Sequence, residues 1–205
     1  VGKIRVADGT LVDPYAPTVA DVKLDVFAHS LAQLARFTGH AKFPFSVGQH
    51  TINLCDTMGR IFTNRQTTTR YHVKRAALSH DMSEVWFNDL SSPVKKENPD
   101  YREAEHQAGM FIAHVLKVPT DALMLLDPYD KRMYKNERTA LFPVIDGEGM
   151  GDNYIPISDD YIGSHAFIEM NWRSVRASLW SHYEYYFPEH TDFVPFWRRK
   201  EFILG

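Results

Sequence analysis

LSHDMSEVWFNDL, residues 78–90, sets a histidine, an aspartate and a glutamate inside a stretch that otherwise has the apolar rhythm of a buried helix. His80 and Glu84 lie one helical turn apart and share a face, whereas the adjacent His80 and Asp81 are separated by roughly 100° around the axis. A polar face turned to solvent explains the pattern, and so does a bound ligand. The spacing predicts a helix over about 71–87 that buries Ala77, Leu78, Met82 and Val85 and stops at Asn88-Asp89.

The helical period runs through much of the chain on either side. Leu24, Phe27, Leu31 and Leu34 mark one apolar stripe, and Val47, Leu54, Met58 and Ile61 mark a second that begins after Ser46, a candidate N-cap. Ser92-Pro93 has the form of a cap followed by proline at the first helical position, Asp100 starts a longer helix through Ala104, Ala108, Phe111, Ile112 and Val115, and Thr120 caps another. Pro128 lacks an N–H and clashes with the preceding turn. The stretch 123–142, LMLLDPYDKRMYKNERTALF, is therefore expected to split, with Asp127 capping a new helix that reaches Leu141 and holds Asp130 in its first turn. A last helix is expected from about Ser164 to Tyr186 on the stripe Phe167, Asn171, Val175, Leu179 and Tyr186.

Three segments lack that period. KIRVADGTLVD, residues 3–13, has two β-prone runs around Asp8-Gly9 and reads as a small hairpin. Residues 143–163 hold four glycines and read as a long loop, a length that is uncommon without a function. The tail 193–205, FVPFWRRKEFILG, is aromatic and basic, and is expected to pack back on the domain or on a partner subunit. The expected fold class is all-α, a helical bundle with a small N-terminal β-hairpin. One domain is expected over 1–205, with its core at about 20–142 and with 143–205 adding loop, C-terminal helix and tail.

Composition bounds the function. The chain has 205 residues, 44% of them hydrophobic and 24% charged, enough apolar content for a sizeable core. The net charge is −3 and the basic residues are scattered apart from WRRK, so duplex nucleic acid is not an expected partner. No apolar run approaches the roughly 18 residues of a membrane span, and the start carries no basic-then-apolar signal pattern, so a cytoplasmic protein without membrane contact is expected. The single cysteine, Cys55, excludes an internal disulfide and reads as a small buried apolar residue.

Ionisable groups on predicted core faces demand partners, because an isolated buried charge costs several kcal/mol as an order of magnitude. His50 occupies a stripe position one turn before Leu54, His80 and Asp81 interrupt the next helix, and Asp130 follows Pro128. Should these four converge, they form a site of two imidazoles and two carboxylates. Such an N/O donor set suits Co, Zn, Mn, Fe or Ni, whereas Ca or Mg favours an all-oxygen shell. The pattern is not the HExxH arrangement, which needs two histidines a turn apart on one helix.

Four separated blocks, GH with FPFSVGQH, ALSHDMSEVWFNDLSSPVKK, YREAE and DPYDKRMYKNERTAL, occur in an order and spacing that resembles the HD-domain phosphohydrolases. The likeness is to the branch of bacterial 5'-deoxynucleotidases and their phage-encoded relatives, including phage dATP triphosphohydrolases, and covers residues 20–142. It implies a helical bundle that holds one divalent metal ion through His50, His80, Asp81 and Asp130, with Asp127 the competing fourth ligand. It further implies that Glu84 orients or activates the attacking water and that Asp89 lies near the reacting phosphate and sugar. Arg36 would grip a phosphate, Phe37 would pack on sugar or base, His40 would contact the substrate, and Lys95 or Lys96 would offset phosphate charge.

The implied activity is metal-dependent hydrolysis of deoxynucleoside 5'-phosphates, with dATP favoured because the approach DPYAPTVADVKLDVFAHSLAQLARFTGH is most similar to phage members. A polyphosphate substrate would bring Mg with it, and a homo-oligomer is expected. Alternatives are a 5'-deoxynucleotidase acting on monophosphates and a non-catalytic protein that binds metal and nucleotide. The stretch before His50 is less basic than the family's, with only Lys42 left, and 143–186 matches no part of it.

Overall fold

The computed structural model describes residues 2–143 and 155–199. A two-stranded antiparallel hairpin, β1 (Ile4–Arg5) and β2 (Leu11–Val12), pairs Ile4 with Val12 and Arg5 with Leu11. Its turn closes because the Asp8 carboxylate accepts from the Thr10 N–H at 3.0 Å and Gly9 takes a left-handed backbone, φ 87°. The Asp8 carboxylate also takes the Lys23 ammonium at 2.7 Å, which ties the hairpin to the start of the first helix.

Eight α-helices follow among the described residues: α1 (Leu24–Leu31), α2 (Val47–Ile61), α3 (Thr67–Ser79), α4 (Glu84–Phe87), α5 (Ser92–Lys96), α6 (Pro99–Val115), α7 (Thr120–Leu141) and α8 (Trp172–Tyr186). The all-α class with a small N-terminal hairpin is thus what the chain adopts. The central pair is α2 and α3; α7 lies across α3, and α8 packs on α1, α2 and α3. Leu24, Phe27 and Leu31 of α1, Leu54 and Met58 of α2, and Leu78 at the end of α3 are all buried, as their periodicity predicts. Each such side chain contributes about 1.5–3 kcal/mol of burial free energy. Ser46 caps α2 as expected, its hydroxyl accepting from the Gln49 N–H at 3.1 Å. No helix among the described residues is long and apolar enough to cross a membrane.

Five expectations are corrected. The helix expected over 71–87 is interrupted: α3 ends at Ser79, and a tight turn carries His80 to Ser83 before α4 begins at Glu84. Side chains compete with the backbone at this point, since the His80 ring bonds the Ala77 carbonyl at 2.9 Å and the Ser79 hydroxyl bonds the Ala76 carbonyl at 3.2 Å. The split at Pro128 does not occur, and α7 runs through it for 22 residues. The carbonyl that Pro128 leaves without a donor belongs to Met124, which is 73% exposed, so water can satisfy it.

The last helix starts at Trp172 rather than near Ser164, because Asn171 is its N-cap and accepts from the Arg173 N–H at 2.8 Å. The stretch before it is instead pinned to α2, where Gln49 donates to the Ile168 carbonyl at 2.7 Å and Asn53 to the Ala166 carbonyl. Two caps move by one residue: Ser91, not Ser92, precedes α5, and Thr120 is the first residue of α7 after Pro119.

Of the expected long loop, 144–154 lie outside the described residues. The remainder is held to α7, with Asn136 and the Ile157 backbone exchanging two hydrogen bonds at 2.9 Å. The tail to residue 199 packs on its own chain: Phe196 is buried, and its N–H donates to the buried Asp25 carboxylate at 3.0 Å.

Candidate metal centre

His50 enters from the first turn of α2, His80 and Asp81 from the turn that ends α3, and Asp130 from the middle of α7. The four residues converge. Asp130 Oδ1 lies 3.1 Å from His50 Nε2 and 3.7 Å from His80 Nε2, while Asp81 Oδ2 lies 3.1 Å from His80 Nε2 and 3.6 Å from His50 Nε2. One ligand atom each from His50, His80 and Asp130 falls within 4.8 Å of the other two, a trio of one buried and two half-buried residues able to hold a metal ion. Asp127, the competing carboxylate, is the more exposed of the two on α7 and pairs with Lys131.

The tautomers make the arrangement informative. His50 Nδ1 lies 2.6 Å from Glu137 Oε1, and His80 Nδ1 lies 2.9 Å from the Ala77 carbonyl. Both partners are acceptors, so each Nδ1 carries the proton and, in the neutral ring, each Nε2 presents a lone pair. Those two Nε2 atoms face each other at 3.2 Å. Asp130 Oδ1, also buried, has no hydrogen-bond partner. With both Nε2 atoms unprotonated, their lone pairs and the Asp130 oxygen converge on one point, and the residues fit a divalent ion there. Nδ1 anchored to a carboxylate or a carbonyl is the usual way a protein orients a metal-binding imidazole.

The carboxylates draw positive charge to the same point, whether carried by ring protons or by a metal ion. Burial opposes charge on His80, yet Asp81 and Asp130 hold its pKa well above the ordinary imidazole range. Burial and Arg36 oppose charge on His50, but Glu137 and Asp130 raise it. Against the effect of burial, the two histidines hold Asp130 well below the usual carboxylate range, and His80 and His50 lower Asp81.

Glu137 was not foreseen as a site residue. It is 0% exposed, comes from α7 two turns after Asp130, and accepts from both His50 Nδ1 and Arg36 Nε, the latter at 2.8 Å. Asp130 and Glu137 are seven apart and so share a helix face, which is the signal that could have found it.

A cavity of about 470 Å³ opens on the cluster, a volume that suits a small organic ligand. His80, Asp81, Glu84, Lys95 and Asp130 line it, with Leu126 of α7 on the apolar side. Glu84 is buried, and its Oε2 has no hydrogen-bond partner. Burial, then Asp81 and Asp89, push its pKa well above the usual carboxylate range. Lys95 Nζ lies 2.8 Å from Glu105 and 3.9 Å from Glu84, so it is an ion-pair partner before it is a free cation.

Asp127 also lines it, whereas Arg36, Phe37, His40, Asp89 and Lys96 lie outside that lining. Arg36 is buried behind the cluster, with its guanidinium on Glu137 and 3.8 Å from Asp81. Phe37 has a left-handed backbone, φ 58°, and its ring packs 5.7 Å from Tyr134 and 5.2 Å from Phe142. Asp89 is half-buried, and burial raises its pKa although Arg36 opposes the rise. His40 is exposed, and only its backbone N–H, bonded to the Phe37 carbonyl at 3.0 Å, ties it to this region.

A second trio, Cys55, Asp56 and His182, has ligand atoms equally close. It already contains a cation, since Lys74 Nζ lies 3.9 Å from Asp56, and burial pushes the Cys55 thiol far above its ordinary value. The first cluster is the stronger candidate.

No protein-family model matches the chain. Over 134 residues, 62% of its length, it is 26% identical to the uncharacterized protein YfdR of Escherichia coli, covering 69% of that protein. Over 93 residues, 44% of its length, it is 31% identical to the uncharacterized protein RCAP_rcc00048 of Rhodobacter capsulatus, covering 45% of that protein.

Proposed function

We propose that the chain is a metal-dependent phosphohydrolase of the HD-domain type, acting on deoxynucleoside 5'-phosphates with dATP the favoured substrate. The observation that carries this reading is the pair of imidazole Nε2 atoms 3.2 Å apart, each with its Nδ1 already committed as a donor, beside two carboxylates at the wall of a ligand-sized cavity. His50, His80, Asp81 and Asp130 would hold one divalent ion, and the mixed N/O set suits Co, Zn, Mn, Fe or Ni. When bound, such an ion supplies Lewis-acid chemistry, acidifying water and polarising a phosphoryl oxygen.

The remaining steps belong to side chains of the chain itself. Glu84, buried and with one oxygen unpartnered, faces the cavity as the proton acceptor, and burial raises its pKa. Lys95 offers positive charge from α5 to a phosphate in the same cavity. Arg36 steadies Asp81 and Glu137 from behind rather than presenting a free fork to the substrate. Leu126 and the other apolar residues of α7 would meet sugar or base.

A monophosphate substrate is the second reading, and the ion pairing of the basic residues favours it. Arg36 is taken up by Glu137, and Lys95 by Glu105, which leaves the exposed Arg102 as the further arginine or lysine in the lining. Mg carried by the substrate would supply the missing charge in the dATP reading.

A phosphate-release panel of deoxy- and ribonucleoside mono-, di- and triphosphates with Co, Mn, Zn or Mg separates these readings. Asp81→Ala is expected to lose both metal and activity, and Glu84→Ala to keep the metal while turnover falls about a hundredfold or more. An active, metal-loaded Asp81→Ala would end this assignment. A wild-type chain that binds metal and nucleotide without releasing phosphate would show a binding protein instead.

A further inference from the structure

Glu105 stands out among the cavity residues that the proposed chemistry leaves without a role. It sits in the second turn of α6 and is buried, while its neighbours Arg102 and His106 are exposed. Its carboxylate lies 2.8 Å from Lys95 Nζ, and the same ammonium is 3.9 Å from Glu84 Oε1. Lys95 is a compact point charge on a flexible stem, so its position is set by whichever anion holds it. Glu84, with Oε2 buried and unpartnered, is the other carboxylate within reach of that charge. The short α5, packed on α6, delivers Lys95 between the two.

We propose that Glu105 is a positioning residue that draws Lys95 to the α6 wall of the cavity and keeps it from collapsing onto Glu84, an inference that rests on the phosphohydrolase reading. With Glu105 charged, Glu84 stays free to accept a proton and Lys95 keeps N–H donors for a substrate phosphate. With Glu105 neutral, Glu84 is the carboxylate left within reach, and a direct Glu84–Lys95 pair disables the base and withdraws the cation together.

Kinetics test this with a cycle. Glu105→Gln is expected to lower kcat about tenfold and raise KM several-fold, the scale of one charge-assisted hydrogen bond, whereas Glu105→Asp recovers much of kcat. In a Lys95→Met background, Glu105→Gln is expected to change neither constant. An additive loss there would overturn the proposal, because Glu105 would then be acting without Lys95.

A second measurement needs no activity. In urea unfolding, the coupling between Glu84→Gln and Lys95→Met is expected to rise about fivefold in the unfolding constant when Glu105 is replaced by Gln. Unchanged coupling would overturn the proposal. If coupling rises while the wild type releases no phosphate from any nucleotide, the phosphohydrolase reading fails and the placement of Lys95 by Glu105 stands.

Discussion

Glu137 accepts from His50 Nδ1 with one oxygen and from Arg36 Nε with the other, so one buried charge orients a metal-facing imidazole and anchors the arginine behind Asp81. Glu137→Gln keeps the shape and removes the charge, and it is expected to weaken divalent-ion affinity by about 10- to 100-fold in a chelator competition. Unchanged affinity would mean that His50 is oriented by packing. The sequence carried His50, His80, Asp81 and Glu84 visibly, because each breaks an apolar pattern, whereas Asp130 was reached through the resemblance. Glu137 and Glu105 were hidden inside charge-rich segments that look solvated. What buries Glu137 is Arg36, 101 residues away, and a local pattern cannot report such a partner.

A different histidine gives a pH signature. Burial disfavours charge on His182, but Asp56 and the Ser178 carbonyl raise its pKa. A raised imidazole pKa contributes stability that is fully present below the unfolded value, about 6.5, and is lost as pH rises through the folded value. Asp56→Asn is expected to lower the His182 midpoint in an NMR titration and to flatten that loss in urea unfolding above pH 6.5. A midpoint that Asp56→Asn leaves in place would contradict the pairing.

At the scale of elements, α2 lies close to α1 at Gly48. A Cβ there would meet Leu179 Cδ1 at 2.8 Å and the backbone of Leu31 and Ala32 at 3.0 Å. Leu179 can turn aside, but α1 cannot, so Gly48→Ala is expected to cost about 1–3 kcal/mol in urea unfolding despite alanine's better helix propensity. A neutral or stabilising result would mean that α1 yields.

The helical stripes of α1, α2 and α6 were legible because periodicity reports a buried face directly. The termini were less so. The end of α3 depends on His80 and Ser79 bonding carbonyls of the preceding turn, and the passage of α7 through Pro128 depends on Met124 facing water. Both turn on which way a backbone carbonyl faces, which composition does not encode.

Across the whole molecule, elements far apart in sequence supply the candidate centre. The α2–α3 pair gives the imidazoles, α7 gives Asp130 and Glu137, and α8 with the returning tail covers α1 and α2. The central claim is that this convergence holds a metal ion, and elemental analysis of the purified chain after loading with Co, Mn or Zn tests it most directly. One divalent ion per chain is expected in the wild type and in Asp127→Ala, and less than about a tenth of that in Asp130→Ala. A wild-type chain that retains no metal, or an Asp130→Ala chain that retains as much as the wild type, would contradict it.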